Sequence, residues 1–154
     1  MIFATTGTCE PFDRLLQAFD GIELGEELVV QHGISPVRPR GARCVDFLAY
    51  SELVELVRSA RVVVTHGGVG SVLTALANGK RPVVVPRLAE RGEAIDDHQL
   101  EFARKIAAAG VIELVEDPAE LGARLVTSHA QPRRVAPDPR LVAELREYLT
   151  AAAR

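Results

Sequence analysis

The chain has 154 residues, 47% of them apolar, enough for one domain with a substantial core. Its 18 basic and 21 acidic residues leave a net charge of -3, so no global basic field attracts nucleic acid or an anionic membrane. Cys9 and Cys44 stand alone, without metal-ligand spacing, which argues against structural zinc and for a reducing compartment.

Met1 to Thr6 reads as a short buried strand ending in Thr-Gly-Thr. It lacks the basic start and long apolar stretch of a signal peptide. No apolar run approaches the roughly 20 residues of a membrane-spanning helix. The expected location is therefore cytoplasmic. Phe12, Leu15, Leu16 and Phe19 have helical spacing. Leu28-Val29-Val30 marks a strand over 27–31, closed by His32-Gly33. Ser35 to Arg43 is a Pro/Arg/Gly-rich loop. Its Arg38, Arg40 and Arg43, like Arg133 and Arg134 downstream, read either as solvated loop charge or as a small partner or phosphate patch. Cys44 to Leu48 is a third strand, and Ser51 caps a helix carrying Leu53, Val54, Leu56 and Val57.

Arg61 to Thr65 is the clearest strand, because three successive valines suit burial on both faces of a parallel sheet. It runs into His66-Gly67-Gly68-Val69-Gly70-Ser71 and a helix through Ala77, with Gly79 at its end. Pro82 to Pro86 is a further buried strand. The polar loop from Arg87 to Asp96 leads into a helix over 98–109. Val111 to Val115 is a last strand, and Pro118 opens a helix reaching Val126. This alternation predicts an α/β domain over 1–128: Rossmann-like, with a doubly wound parallel sheet. Residues 129–139, with Pro132, Pro137 and Pro139, read as a linker. Residues 140–154 read as a helix striped by Leu141, Leu145, Tyr148 and Leu149, which either packs back on the domain or docks another chain.

Ligands of such sheets sit outside the carboxyl ends of the strands. That rule gathers Thr6-Gly7-Thr8, Phe47-Leu48, His66 to Ser71 and Pro86-Arg87 on one rim. A helix N-terminus after a strand presents free N–H groups and partial positive charge, which suit phosphate. Gly67, Gly68 and Gly70 let backbone approach an anion, and Ser71 and His66 add donors; tight packing is the plainer alternative. The turn has no Gly-Lys-Ser/Thr ending and no acidic residue closing a dinucleotide unit. Asp96-Asp97-His98-Gln99 opens the next helix. One Asp makes an N-cap, and Gln99 on the rim suits sugar hydroxyls. No further ligands join Asp97 and His98 to make a metal site.

The stretch T-H-G-G-V-G-S-V-L-T-A-L-A-N-G-K-R-P-V-V-V-P-R, followed by D-D-H-Q-L-E-F-A, resembles the donor-binding domain of GT-B glycosyltransferases, and most the family 28 C-terminal domain. The resemblance covers roughly residues 1–128 and implies one half of a GT-B fold that binds a UDP-sugar. It implies His66 and Ser71 as catalytic residues, with the Gly67 to Ser71 turn holding the diphosphate. Phe47 and Leu48 would read the uracil, and Gln99, with His98 and Asp97, would hold the sugar. Gly7, Thr8 and Arg87 complete the donor site. Two departures stand out: Thr74 where many relatives have a ribose-binding Glu, and His98 where others have Asp. The resemblance further implies a membrane-associated subunit that holds a lipid-linked acceptor and supplies the general base. It implies N-acetylglucosamine, glucose or glucuronate as the sugar, and neither metal nor cofactor. The alternatives are a non-catalytic nucleotide-sugar sensor or scaffold, and a sugar-nucleotide epimerase-like or unrelated Rossmann enzyme.

Overall fold

A computed structural model describes residues 1–128; the linker and helix expected over 129–154 lie outside the described residues. Six strands form one wholly parallel sheet: β1 (Ile2–Thr5), β2 (Leu28–Gln31), β3 (Arg43–Val45), β4 (Val62–His66), β5 (Val83–Val85) and β6 (Glu113–Leu114). Their order across the sheet is β3-β2-β1-β4-β5-β6. The order reverses beside β1, which pairs with β2 on one side (Ile2 with Leu28) and with β4 on the other (Ile2 with Val62).

Among the described residues, five α-helices cover both faces: α1 (Asp13–Ala18), α2 (Tyr50–Ser59), α3 (Val69–Ala77), α4 (His98–Ala108) and α5 (Leu121–Thr127). Side-chain alternation along the strands splits the core. Ile2, Ala4, Val62, Val64, Val83 and Val85 pack with Leu15 and Leu16 of α1 and with Leu121 and Leu125 of α5. On the other face Phe3, Val29 and Val63 meet Val57 of α2 and Ala75 of α3. There, too, Val84 meets Phe102, Ala103 and Ile106 of α4. The doubly wound parallel architecture read from the sequence is the one observed. Among the described residues no helix is long and apolar enough to cross a membrane.

Three local expectations are corrected. β3 begins at Arg43 and stops at Val45, short of Leu48, because the Asp46 carboxylate turns back to accept from the Phe47 N–H (2.9 Å). Ser51 does not cap α2. Ala49 holds that position, and Glu52 reaches back to accept from its N–H at 2.9 Å. β6 starts only at Glu113, because Gly110 (φ +75°) and the Val111 N–H are still engaged in closing α4.

Candidate functional site

The strand order reverses between β1 and β4, and a cavity of about 480 Å³ opens at their carboxyl ends. This is where open α/β sheets bind ligands. Of the residues singled out in the sequence, Gly7, Thr8, Leu48, His66, Gly68, Gly70, Ser71, Arg87 and Gln99 line it. Phe47, Gly67, Thr74, Asp97 and His98 do not.

α3 supplies the anion-facing end. Its first internal hydrogen bond runs from the Val72 N–H to the Gly68 carbonyl (3.1 Å), so the N–H groups of Val69, Gly70 and Ser71 have no partner within the helix. Gly68 has no side chain to cap them. The three glycines differ in purpose. A Cβ on Gly67 would lie 2.8 Å from Cβ of Gln99, so this glycine lets the start of α4 press against the turn. A Cβ on Gly68 would collide with Nε2 of His66. Gly70 alone faces open space, and so it is the one that leaves room for a ligand.

His66 ends β4 and is 8% exposed. Its ring is wedged between Gly68 and Gly7. The latter has φ +79°, and a Cβ there would sit 2.7 Å from Cε1 of His66. Burial, reinforced by the nearby Arg87 charge, pushes the imidazole pKa down to about 4. His66 is thus neutral at physiological pH, with one N–H to offer.

Arg87, 4% exposed, follows β5. Its Nη2 donates to the carbonyls of Thr6 and Glu10, both at 2.6 Å. Its guanidinium lies 5.1 Å from the centroid of the Phe12 ring. Nε is buried without a partner. Gln99, one residue into α4, has its Oε1 buried and likewise unpartnered. Within α3, Thr74 donates its hydroxyl to the Gly70 carbonyl four residues back (2.8 Å).

The acidic pair has two structural duties. Asp97 holds the N-cap position of α4, yet its carboxylate accepts from the Ala89 N–H (3.0 Å) and pins the preceding turn. Asp96 accepts from the His98 N–H (3.1 Å) and lies 2.6 Å from its Nδ1. That hydrogen bond raises the His98 pKa and lowers that of Asp96. Both side chains are exposed, outside the cavity lining.

Sequence reasoning missed several lining residues: Thr5, Cys9, Glu10, Gln31, Tyr50 and Leu53. Gln31 was the detectable one, a lone polar residue closing an apolar strand. It accepts a hydrogen bond from the Thr5 hydroxyl at 2.9 Å on the cavity floor. A larger groove, about 910 Å³, runs between α1 and α5. Arg14 and Glu23 are its only charged residues, and no glycine-rich turn lines it.

The sequence matches the family model of the glycosyltransferase family 28 C-terminal domain over residues 22–148. The chain belongs to this family. This family 28 domain is 30% identical over 121 residues to the UDP-N-acetylglucosamine transferase subunit ALG13 of Yarrowia lipolytica (strain CLIB 122 / E 150). That match covers 69% of the chain and 60% of the relative's own length. Solved structures with the same fold include the glycosyltransferase SnogD from Streptomyces nogalater, with a TM-score of 0.61 and 21% identity. It spans 86% of the family 28 domain and 36% of SnogD. The calicheamicin glycosyltransferase CalG4 aligns with a TM-score of 0.59 and 20% identity, over 99% of this chain and 44% of CalG4. The fold is thus Rossmann-like and forms one half of a GT-B architecture.

Proposed function

We propose that this domain is the donor-binding half of a glycosyltransferase. It holds a UDP-sugar at the rim of β1 and β4 and presents the sugar to an acceptor carried by a second polypeptide. The observation that carries this reading is the single cavity that joins the open N-terminus of α3 to Gln99 of α4, in a chain of family 28. The similarity to the Yarrowia UDP-N-acetylglucosamine transferase subunit supports UDP-N-acetylglucosamine as the first donor to try; glucose and glucuronate are the other sugars.

In this reading the N–H groups of Gly70 and Ser71, with the Ser71 hydroxyl, receive the diphosphate. Uracil lies toward Leu48 and the backbone at Phe47. Gln99, whose Oε1 has no partner within the protein, accepts from sugar hydroxyls. Gly7 and Thr8 face the acceptor. The acceptor oxygen bonds to the anomeric carbon while the bond from that carbon to the diphosphate breaks. The electron pair stays on the phosphate, and the acceptor proton passes to a general base on the second polypeptide. Preorganised N–H donors stabilise the departing charge without a metal or cofactor. In this proposal the acceptor is lipid-linked, the partner is membrane-associated, and this subunit works on the cytoplasmic side.

Calorimetric titration with UDP, UDP-N-acetylglucosamine, UDP-glucuronate, GDP, dTDP and NAD tests the donor assignment. Selective binding of uridine nucleotides, weakened on the order of tenfold by Ser71→Ala, is expected. Preference for NAD or for a non-uridine nucleotide sinks the assignment.

A further inference from the structure

We propose that Arg87 and the N-terminus of α3 together form an anion clamp for the diphosphate of the nucleotide, with Arg87 as its one formal positive charge. The inference rests on the reading of this cavity as the donor site.

The charges lining the cavity carry the argument. Arg87 is the only cation among the lining residues, and Glu10 the only carboxylate. His66 is neutral because its ring is enclosed between two glycines. An α-helix N-terminus supplies partial charge, roughly half an elementary charge, against the two or more negative charges of a diphosphate.

Arg87 is also an anomaly in the absence of an anion. A guanidinium carries five N–H donors, and burying one without a counter-ion is costly. Here the side chain is 4% exposed, yet its hydrogen bonds go to two neutral carbonyls. Among the described residues it forms no ion pair within 4.0 Å, and its Nε has no partner. The carboxylates of Glu10 and Glu93 act on it only through space. The fold does supply a substitute for water on one side, the Phe12 ring. What remains unmet is a counter-charge on the cavity side. A diphosphate at Gly70 and Ser71 would supply it, and the planar fork of Arg suits phosphate oxygens better than a lysine would.

The competing explanation is purely structural: the two carbonyl bonds tie the β1–α1 loop to the end of β5. The two roles separate in a titration of UDP, uridine and inorganic pyrophosphate against the wild-type chain, Arg87→Gln and Arg87→Lys. The clamp predicts that Arg87→Gln weakens UDP and pyrophosphate on the order of tenfold or more, leaves uridine within twofold, and that Arg87→Lys is intermediate. Parallel loss of UDP and uridine assigns Arg87 to loop positioning and overturns the clamp, as does unchanged UDP binding in both variants. If Arg87→Gln does not fold, the UDP-to-uridine ratio of Arg87→Lys decides alone. Wild-type binding of pyrophosphate but of neither UDP nor uridine, lost in Arg87→Gln, keeps the anion site and removes the donor reading. Wild-type binding of none of the three overturns both.

Discussion

Burial and the neighbouring Arg87 charge act on His66 in the same direction, and both disfavour the imidazolium. Its folded pKa of about 4 lies below the unfolded value of 6.5. Between those values the unfolded chain binds more protons, so stability is full above about pH 6.5 and is lost as pH falls toward 4. The gap corresponds to about 3 kcal/mol. Urea unfolding midpoints from pH 7 to pH 4 should fall more steeply for the wild type than for His66→Gln; parallel slopes would contradict the neutral, buried imidazole. The glycines divide in the same way. Gly68→Ala drives a Cβ into His66 and should destabilise the domain by roughly 1–3 kcal/mol, with much of the loss recovered in His66→Ala. Gly70→Ala meets nothing within 4 Å, so thermal melting should hold or rise while UDP affinity drops. Equal melting temperatures for the two alanine variants would contradict this division. At this scale the sequence marked the turn but not its internal roles. Residue types show that glycines are present; only geometry shows that Gly67 and Gly68 make room for Gln99 and His66.

Among the elements, the segment between β5 and α4 is tied down by a partly buried ion pair. Arg14 of α1 donates through Nε and Nη2 to Glu93 (2.7 and 2.8 Å), and Nη2 also reaches the Pro86 carbonyl at 2.9 Å. Glu93 in turn accepts from the Leu88 N–H (3.1 Å). Both side chains are about one-seventh exposed, so removing one leaves the other charge largely buried. Glu93→Ala should therefore lower stability by about 3 kcal/mol and weaken nucleotide binding through Arg87; a melting temperature within 1 °C of wild type would refute this. The strands with valine runs were legible because burial on both faces demands a continuous apolar stretch. The ends of β3 and β6 were not. Asp46 and the Gly110 turn divert backbone N–H groups that the apolar pattern would assign to the sheet. Nor was the Arg14–Glu93 pair legible, since its members are 79 residues apart.

At the scale of the whole molecule, the alternation of strand and helix signals fixed the doubly wound class. The reversal of strand order, which sets the cavity, emerges only from the pairing of β1 with both β2 and β4. The family match runs over residues 22–148 and so takes in the Pro-rich stretch. The domain covers 36% of SnogD and 44% of CalG4. The proposed division of labour therefore predicts that the isolated chain binds a UDP-sugar without turning it over, and that transfer requires the acceptor-holding polypeptide. Steady release of UDP from UDP-N-acetylglucosamine by the chain alone, followed by chromatography, would contradict that division. The central claim, that the rim of β1 and β4 is a nucleotide-sugar donor site, is tested most directly by a crystal structure of the chain with UDP. The account predicts the diphosphate on the N–H groups of Gly70 and Ser71, within reach of Arg87, with uracil toward Leu48. UDP bound elsewhere, such as the groove between α1 and α5, would contradict it.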